Sequence, residues 1–146
     1  MKSFLVVFLV LILFSCSTDR TDRNPYLQDV GFKIDLNLTL PSYSDLQNTG
    51  NAVYVSSQGV GIRGIFVMNI NGEYLAFEAS CPNHAPNNCS TMQLNKDQQN
   101  VTCSCDDYQY NLFTGQFLNR PDDGKTYHDM LYYQASRNGN IVTVRN

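Results

Sequence analysis

The sequence predicts a small all-β domain, an antiparallel sandwich or barrel with two cysteine-bearing loops, and three observations carry the prediction. Phe32, Ile34, Leu36, Leu38 and Leu40 alternate with Lys33, Asp35, Asn37 and Thr39. The β-rich run "GIFVMNINGEYLAFEAS" is divided by Asn71-Gly72, and "MLYYQASRNGNIVTVRN" is divided in the same way by Asn138-Gly139. A period of two gives a strand one buried and one wet face. Asn-Gly accepts the positive φ angles of a tight hairpin turn. No stretch shows a helical period, and short strands at close spacing with Gly and Asn turns belong to a small antiparallel fold. At 146 residues, 42% of them hydrophobic, the chain can bury one core, with nine Tyr and eight Phe supplying bulk in place of Trp.

The chain opens with "MKSFLVVFLVLILFSCS". Lys2 is followed by an unbroken apolar run from Phe4 to Phe14, too short to span a bilayer comfortably and suited to a signal-peptide core. The run ends in Leu13-Phe14-Ser15-Cys16, which resembles the lipobox of bacterial lipoproteins, where a small residue precedes a cysteine that is lipid-modified and becomes the new N-terminus. Residues 1–15 are therefore expected to be a lipoprotein signal peptide, Cys16 the lipidation site, residues 16–25 a polar tether and residues 26–146 the folded domain. The expected location is the cell envelope: exported and membrane-anchored, in the bacterial periplasm or at the outer membrane or cell surface. The expected partners are the membrane, through the lipid, and an envelope protein.

Within the body, the alternating segment from Phe32 ends at Pro41 as the first strand. The two Asn-Gly hairpins follow, and "QNVTCSC" with "YQYNLFTGQF" reads as a third hairpin between them. A net charge of -3, scattered along the chain, offers no footprint for nucleic acid. The acidic pairs Asp106-Asp107 and Asp122-Asp123 are adjacent residues, which face opposite ways on a strand, so they read as solvated turns rather than a hydrolytic pair. No catalytic constellation is apparent, and a non-enzymatic role is expected. Tyr108 and Tyr110 share a strand face and read, with Tyr132 and Tyr133, as core filling with hydroxyls at the rim. His128 reads as an exposed loop histidine.

Export would place Cys81, Cys89, Cys103 and Cys105 in an oxidising compartment, where disulfides persist; four cysteines allow three pairings. They lie in two loops, "CPNHAPNNC" and "CSC". The strand–loop–strand–loop order, closed by "CSCDDYQYNLFTGQF", resembles the Rieske iron–sulfur domain. In that family one box reads Cys-x-His-x-Gly-Cys and a second Cys-Pro-Cys-His-Gly-Ser-x-Phe-Asp, followed by a Gly. One cysteine from each box binds one iron of a [2Fe–2S] cluster and one histidine from each binds the other. The second cysteines form a disulfide in the quinol-oxidising branch. The resemblance runs from about Val53 to the C-terminus and implies a Rieske-like β-domain. It matches Cys81 and Cys103 to the ligand cysteines, Cys89 and Cys105 to the disulfide cysteines, and His84 to the first-box histidine. Tyr110 and Asn111 fall at Phe-Asp, and Gly115 at the later glycine.

The departures bear on function. His84 is three residues after Cys81, not two, the interval to Cys89 is long, and no Gly precedes Cys89. Asp106 stands where the second histidine belongs. Two neutral imidazoles set a Rieske iron's high potential; a carboxylate adds negative charge and a hard oxygen less suited to iron beside sulfide. Clusters are also assembled in the cytosol, and exported cluster proteins cross folded on twin-arginine signals, whereas only Lys2 precedes this apolar run. The resemblance then implies a domain without its cluster, stapled by Cys81–Cys103, whose sulfurs would otherwise face each other across one iron, and by Cys89–Cys105. Cys103 and Cys105, alternating on a strand, would be poorly placed to bond each other. The alternatives are an electron carrier with an altered [2Fe–2S] site at Cys81, His84, Cys103 and Asp106, a mononuclear zinc site from the same residues, and an unrelated stapled sandwich.

Overall fold

The computed structural model describes residues 24–146. The expected signal peptide, Cys16 and the tether as far as Arg23 lie outside the described residues. Among the described residues, nine strands form two antiparallel sheets. The larger sheet contains β1 (Lys33–Asn37), β2 (Ala52–Val55), β3 (Ile65–Ile70), β4 (Glu73–Glu78), β8 (Tyr132–Asn138) and β9 (Ile141–Arg145), in the order β1-β9-β8-β4-β3-β2. The smaller contains β5 (Gln93–Leu94), β6 (Asn100–Thr102) and β7 (Gln109–Asn111) in chain order. No helix among the described residues is long and apolar enough to cross a membrane.

The alternation at the first strand works as far as Leu38. Leu36 and Leu38 are buried and β1 pairs with β9, from Lys33↔Arg145 to Asn37↔Ile141. Leu40 is exposed, because the chain has already turned: Leu40 N donates to Asn37 O, and Asn37 Oδ1 accepts from Thr39 N. Pro41 then starts a 3-10 helix, Pro41–Gln47, which buries Leu46. This element escaped the sequence reading because seven residues hold too few turns to show a period, while proline's fixed φ suits a helix start.

β3 and β4 form the expected hairpin, with Asn71 (φ 54°) and Gly72 (φ 90°) as the turn between Ile70↔Glu73. The β8–β9 turn differs by one residue. Asn138 pairs with Ile141, so the turn is Gly139-Asn140, led by Gly139 at φ 59°. A two-residue turn with glycine first matches the strand twist as well as Asn-Gly does, and the ladder chooses between them. The third hairpin pairs β6 with β7 through Asn100↔Asn111, Val101↔Tyr110 and Thr102↔Gln109. Its connection corrects one expectation: Cys103, Ser104 and Cys105 lie in the turn after β6, not on the strand.

The β3–β4 hairpin separates two cores. Ile65 and Val67 of β3, with Tyr74 and Ala76 of β4, face a cluster with Leu36, Leu38, Leu46, Val142 and Val144. Phe66, Met68 and Phe77 face the opposite cluster, with Met92, Val101, Tyr110, Leu112, Phe117, Cys81 and Cys103. A strand covered on both faces loses its alternation, which is why "IFVMNI" reads as a continuous apolar run. The second core places the two cysteine loops against β3 and β4.

Candidate functional site

The first cysteine loop leaves the end of β4 and returns to β5. Its base is closed by the Ser80↔Thr91 bridge and by Cys81 N donating to Ser90 O at 2.8 Å. Polar side chains hold its interior. Asn83 Nδ2 donates to Tyr110 Oη at 2.8 Å and to His128 O at 2.9 Å, while Asn83 Oδ1 accepts from His128 N at 2.7 Å. Asn24 Nδ2 donates to Pro82 O, so the chain is packed on this loop from its first described residue. His128 is thus half-buried and tied to the first loop through its backbone, not a free loop residue. The second loop is closed by Cys103 N donating to Tyr108 O at 2.8 Å, with Asp107 at φ 55° and its carbonyl held by Asn119 Nδ2.

Two disulfides join the loops. Cys81 is bonded to Cys103, with Cα atoms 5.8 Å apart, and Cys89 to Cys105, with Cα atoms 5.3 Å apart. The first bridge is completely buried in the second core. The second is at the surface, Cys89 exposed and Cys105 half-buried. His84 bridges the loops beside them. Its Nδ1 lies 3.1 Å from Ala85 O, which can only accept, and its Nε2 lies 3.3 Å from Cys103 Sγ and 3.4 Å from Asp106 Oδ2. The sulfurs of Cys81, Cys103 and Cys105 and a His84 nitrogen all lie within 4.8 Å of one another.

This donor set does not fit a Rieske cluster. One of its irons takes two imidazoles, and the chain has two histidines. The ring of His128 packs edge-on to Tyr26 at 6.4 Å and is not in the donor cluster, so His84 stands alone with the Asp106 carboxylate opposite.

Asn83 and Glu78 escaped the sequence reading. Glu78, fully buried at the end of β4, accepts from Ile62 N, Arg63 N, Ser80 N and Tyr133 Oη at 2.7–2.9 Å. Arg63 Nη2 in turn donates to Asn87 O, so this carboxylate steadies the first cysteine loop from behind. Its signal was legible: the period of two puts Glu78 on the same face as Tyr74 and Ala76, where only a paired charge survives. Asn83 carried no such signal, since its partners come from distant parts of the chain. Burial drives the Tyr110 hydroxyl well above the ordinary tyrosine pKa, the Asn83 hydrogen bond acting the other way.

Most of the chain superposes on solved structures. The cyanobacterial plasma membrane Rieske protein PetC3 from Synechocystis PCC 6803 superposes with a TM-score of 0.54 at 16% identity, over 77% of this chain and 99% of that one. The chain has a Rieske fold. Looser likenesses, which add nothing beyond this, are a chain of the complex of reduced oxygenase and oxidised ferredoxin in carbazole 1,9a-dioxygenase (TM-score 0.48, 16% identity, 81% of this chain and 94% of that) and the Sphingomonas yanoikuyae B1 ferredoxin (0.45, 16%, 68% and 88%). No family model matches the sequence, and no curated protein matches it. The all-β architecture expected from the sequence is the one present, and the fold is a Rieske fold although Asp106 stands where the second box of that family has histidine.

Proposed function

We propose that the chain is an exported, lipid-anchored envelope protein whose Rieske-fold domain carries two disulfides in place of a [2Fe–2S] cluster and serves as a binding or structural module. The observation that carries this reading is the donor set. Cys81 and Cys103, the positions matching the ligand cysteines, are bonded to each other, and one imidazole stands where a cluster takes two. Support for the anchor comes from the sequence alone, from the apolar run and Cys16. Lipid at Cys16 would confine the domain to a membrane surface, which makes another envelope protein its natural partner. The test is iron and labile sulfide content of protein made in an exporting host: a colourless protein with neither, and no free thiol in the body, is expected. Two irons and two sulfides per chain would overturn the reading. Cys16→Ala is expected to shift the protein from the membrane fraction to the soluble one; unchanged membrane retention would refute the anchor.

One observation favours a second reading. His84 Nε2 points between Cys103 Sγ and Asp106 Oδ2, and its ring lies among three cysteine sulfurs. An electron carrier with an altered site of Cys81, His84, Cys103 and Asp106 would use that convergence, and the same iron and sulfide assay decides between the two.

A further inference from the structure

The two disulfides differ in access and adjoin each other. Cys89 is exposed, whereas Cys81 and Cys103 have no accessible surface. Between them stands Cys105, half-buried, its sulfur within 4.8 Å of both inner sulfurs. Cys105 lies in a turn, not on a paired strand, so no ladder hydrogen bond holds it against movement. Each sulfur that would be released as a thiol has a polar partner. Asn87 Oδ1, an acceptor for a thiol, is 3.0 Å from Cys89 Sγ, and His84 Nε2 is 3.3 Å from Cys103 Sγ. Exchange of this kind needs an accessible disulfide for attack, a thiolate in reach of the next sulfur and a stabilised leaving sulfur.

We propose that the site is a thiol–disulfide relay, in which an external dithiol reduces the outer bridge and Cys105 passes the two electrons to the inner one. The proposal rests on the reading of the four cysteines as two bridges. The external dithiol attacks Cys89 Sγ, the Cys89–Cys105 bond breaks and Cys105 leaves as thiolate. The second thiol of the reductant resolves the mixed disulfide, which releases Cys89 as a thiol and the reductant as a disulfide. Cys105 Sγ then attacks Cys81 Sγ. The Cys81–Cys103 bond breaks, a Cys81–Cys105 bond forms, and Cys103 leaves beside His84 and takes up the proton that the reductant's attacking thiol released. The protein has gained two electrons and two protons, held as thiols at Cys89 and Cys103, and keeps one disulfide throughout.

The test treats the full chain, made in an exporting host, with one equivalent of dithiothreitol under anaerobic conditions, followed by acid quench, alkylation and peptide mapping. The expected species has Cys89 and Cys103 alkylated and Cys81 joined to Cys105. A two-electron-reduced protein that shows only Cys89 and Cys105 alkylated, with Cys81–Cys103 intact, overturns the relay. In excess reductant, Cys105→Ser is expected to slow reduction of the inner bridge by about tenfold or more, since the attacking thiol is lost; equal rates would overturn the proposal as well. Iron and sulfide assay of the same sample before reduction separates the two failures. A bound cluster sinks the two-bridge reading and the relay with it, whereas a metal-free protein whose inner bridge never exchanges sinks the relay alone.

Discussion

On one side of the β3–β4 hairpin the core is made mainly by long strands, and on the other by short strands and the loops between them. The first core draws on β1, β2, β3, β4, β8 and β9, with aliphatic side chains from each meeting over paired backbone. The second sets Phe66, Met68 and Phe77 of β3 and β4 against strands of two and three residues and the connections between them. Strand pairing satisfies most of the backbone of the first core, with side chains completing it off the sheet at Leu38 O and Leu46 O. In the second, side chains take up much of the backbone of the cysteine loops, Asn24 at Pro82 O, Arg63 at Asn87 O, Asn87 at Cys89 N and Asn119 at Asp107 O among them, and the loops are held by covalent bonds. A sheet can be stabilised by burial alone, whereas loops this short on regular structure need cross-links to hold one geometry. Removing the pins should therefore damage the two halves unequally.

The largest expected effect follows from removing both bridges. The loops closed have sequence separations of 22 and 16, and chain entropy makes each bridge worth about 3 kcal/mol. Replacing Cys81, Cys89, Cys103 and Cys105 by Ser should cost about 6 kcal/mol in denaturant unfolding. Hydrogen exchange should show β5–β7 opening before β1, β8 and β9. Uniform loss of protection across both sheets would break the comparison between the halves.

Glu78 sharpens the comparison because it is the polar pin set between the halves. Glu78→Gln replaces one of its two acceptor oxygens by a donor that faces backbone N–H groups, and should destabilise the chain by about 3 kcal/mol. The loss should show in exchange of the Ile62 and Arg63 amides and in the first cysteine loop, through Arg63 and Asn87. A change under about 0.5 kcal/mol would mean that the carboxylate is not a pin.

Gly115 tests packing on the loop side alone. At φ 74°, a Cβ there would meet Phe77 Cε1 at 2.7 Å. Gly115→Ala should cost about 2 kcal/mol, through strain and displacement of Phe77 from the second core. Thermal unfolding would read the loss, and near-ultraviolet circular dichroism the disturbed aromatic packing around Phe117 and Tyr110.

The halves were also unequally legible in the sequence. Leu36 and Leu38 announced a strand because alternation is a local signal, and Asn71-Gly72 fixed its hairpin because two positive φ angles have few tenants. The Gly139-Asn140 turn was misread by one residue, since a local motif does not fix register when a neighbouring turn type fits equally. Across the hairpin, spacing alone left the cysteine pairings open, and the resemblance to a known domain supplied a choice among them. The Asn83–His128 clamp depends on a contact 45 residues apart and the placement of Cys105 on a bridge with a separation of 16, for which no local pattern exists. His128 was misread for the same reason, because the groups that bury it are remote in sequence.

The smallest effect at neutral pH is the one that compares the cores most directly. Each contains a fully or almost fully buried tyrosine, Tyr133 in the first and Tyr110 in the second. Burial raises both above the ordinary value of 10.0; the charge of Glu78 raises Tyr133 further, whereas the Asn83 hydrogen bond works against the rise at Tyr110. A folded pKa above the unfolded one means that the folded state holds its proton more tightly. The resulting stability is complete below pH 10 and declines as pH climbs above it. Neither phenol should ionise near pH 10 while its core is closed, so tyrosinate absorbance should rise in a late step that coincides with loss of structure by circular dichroism. In Asn83→Ala the second core loses a polar tie at Tyr110, and the alkaline limit of the loop half should fall while that of Tyr133 stays. Full titration of both phenols near pH 10 in a chain that is still folded would show that neither core excludes water as tightly as its packing implies.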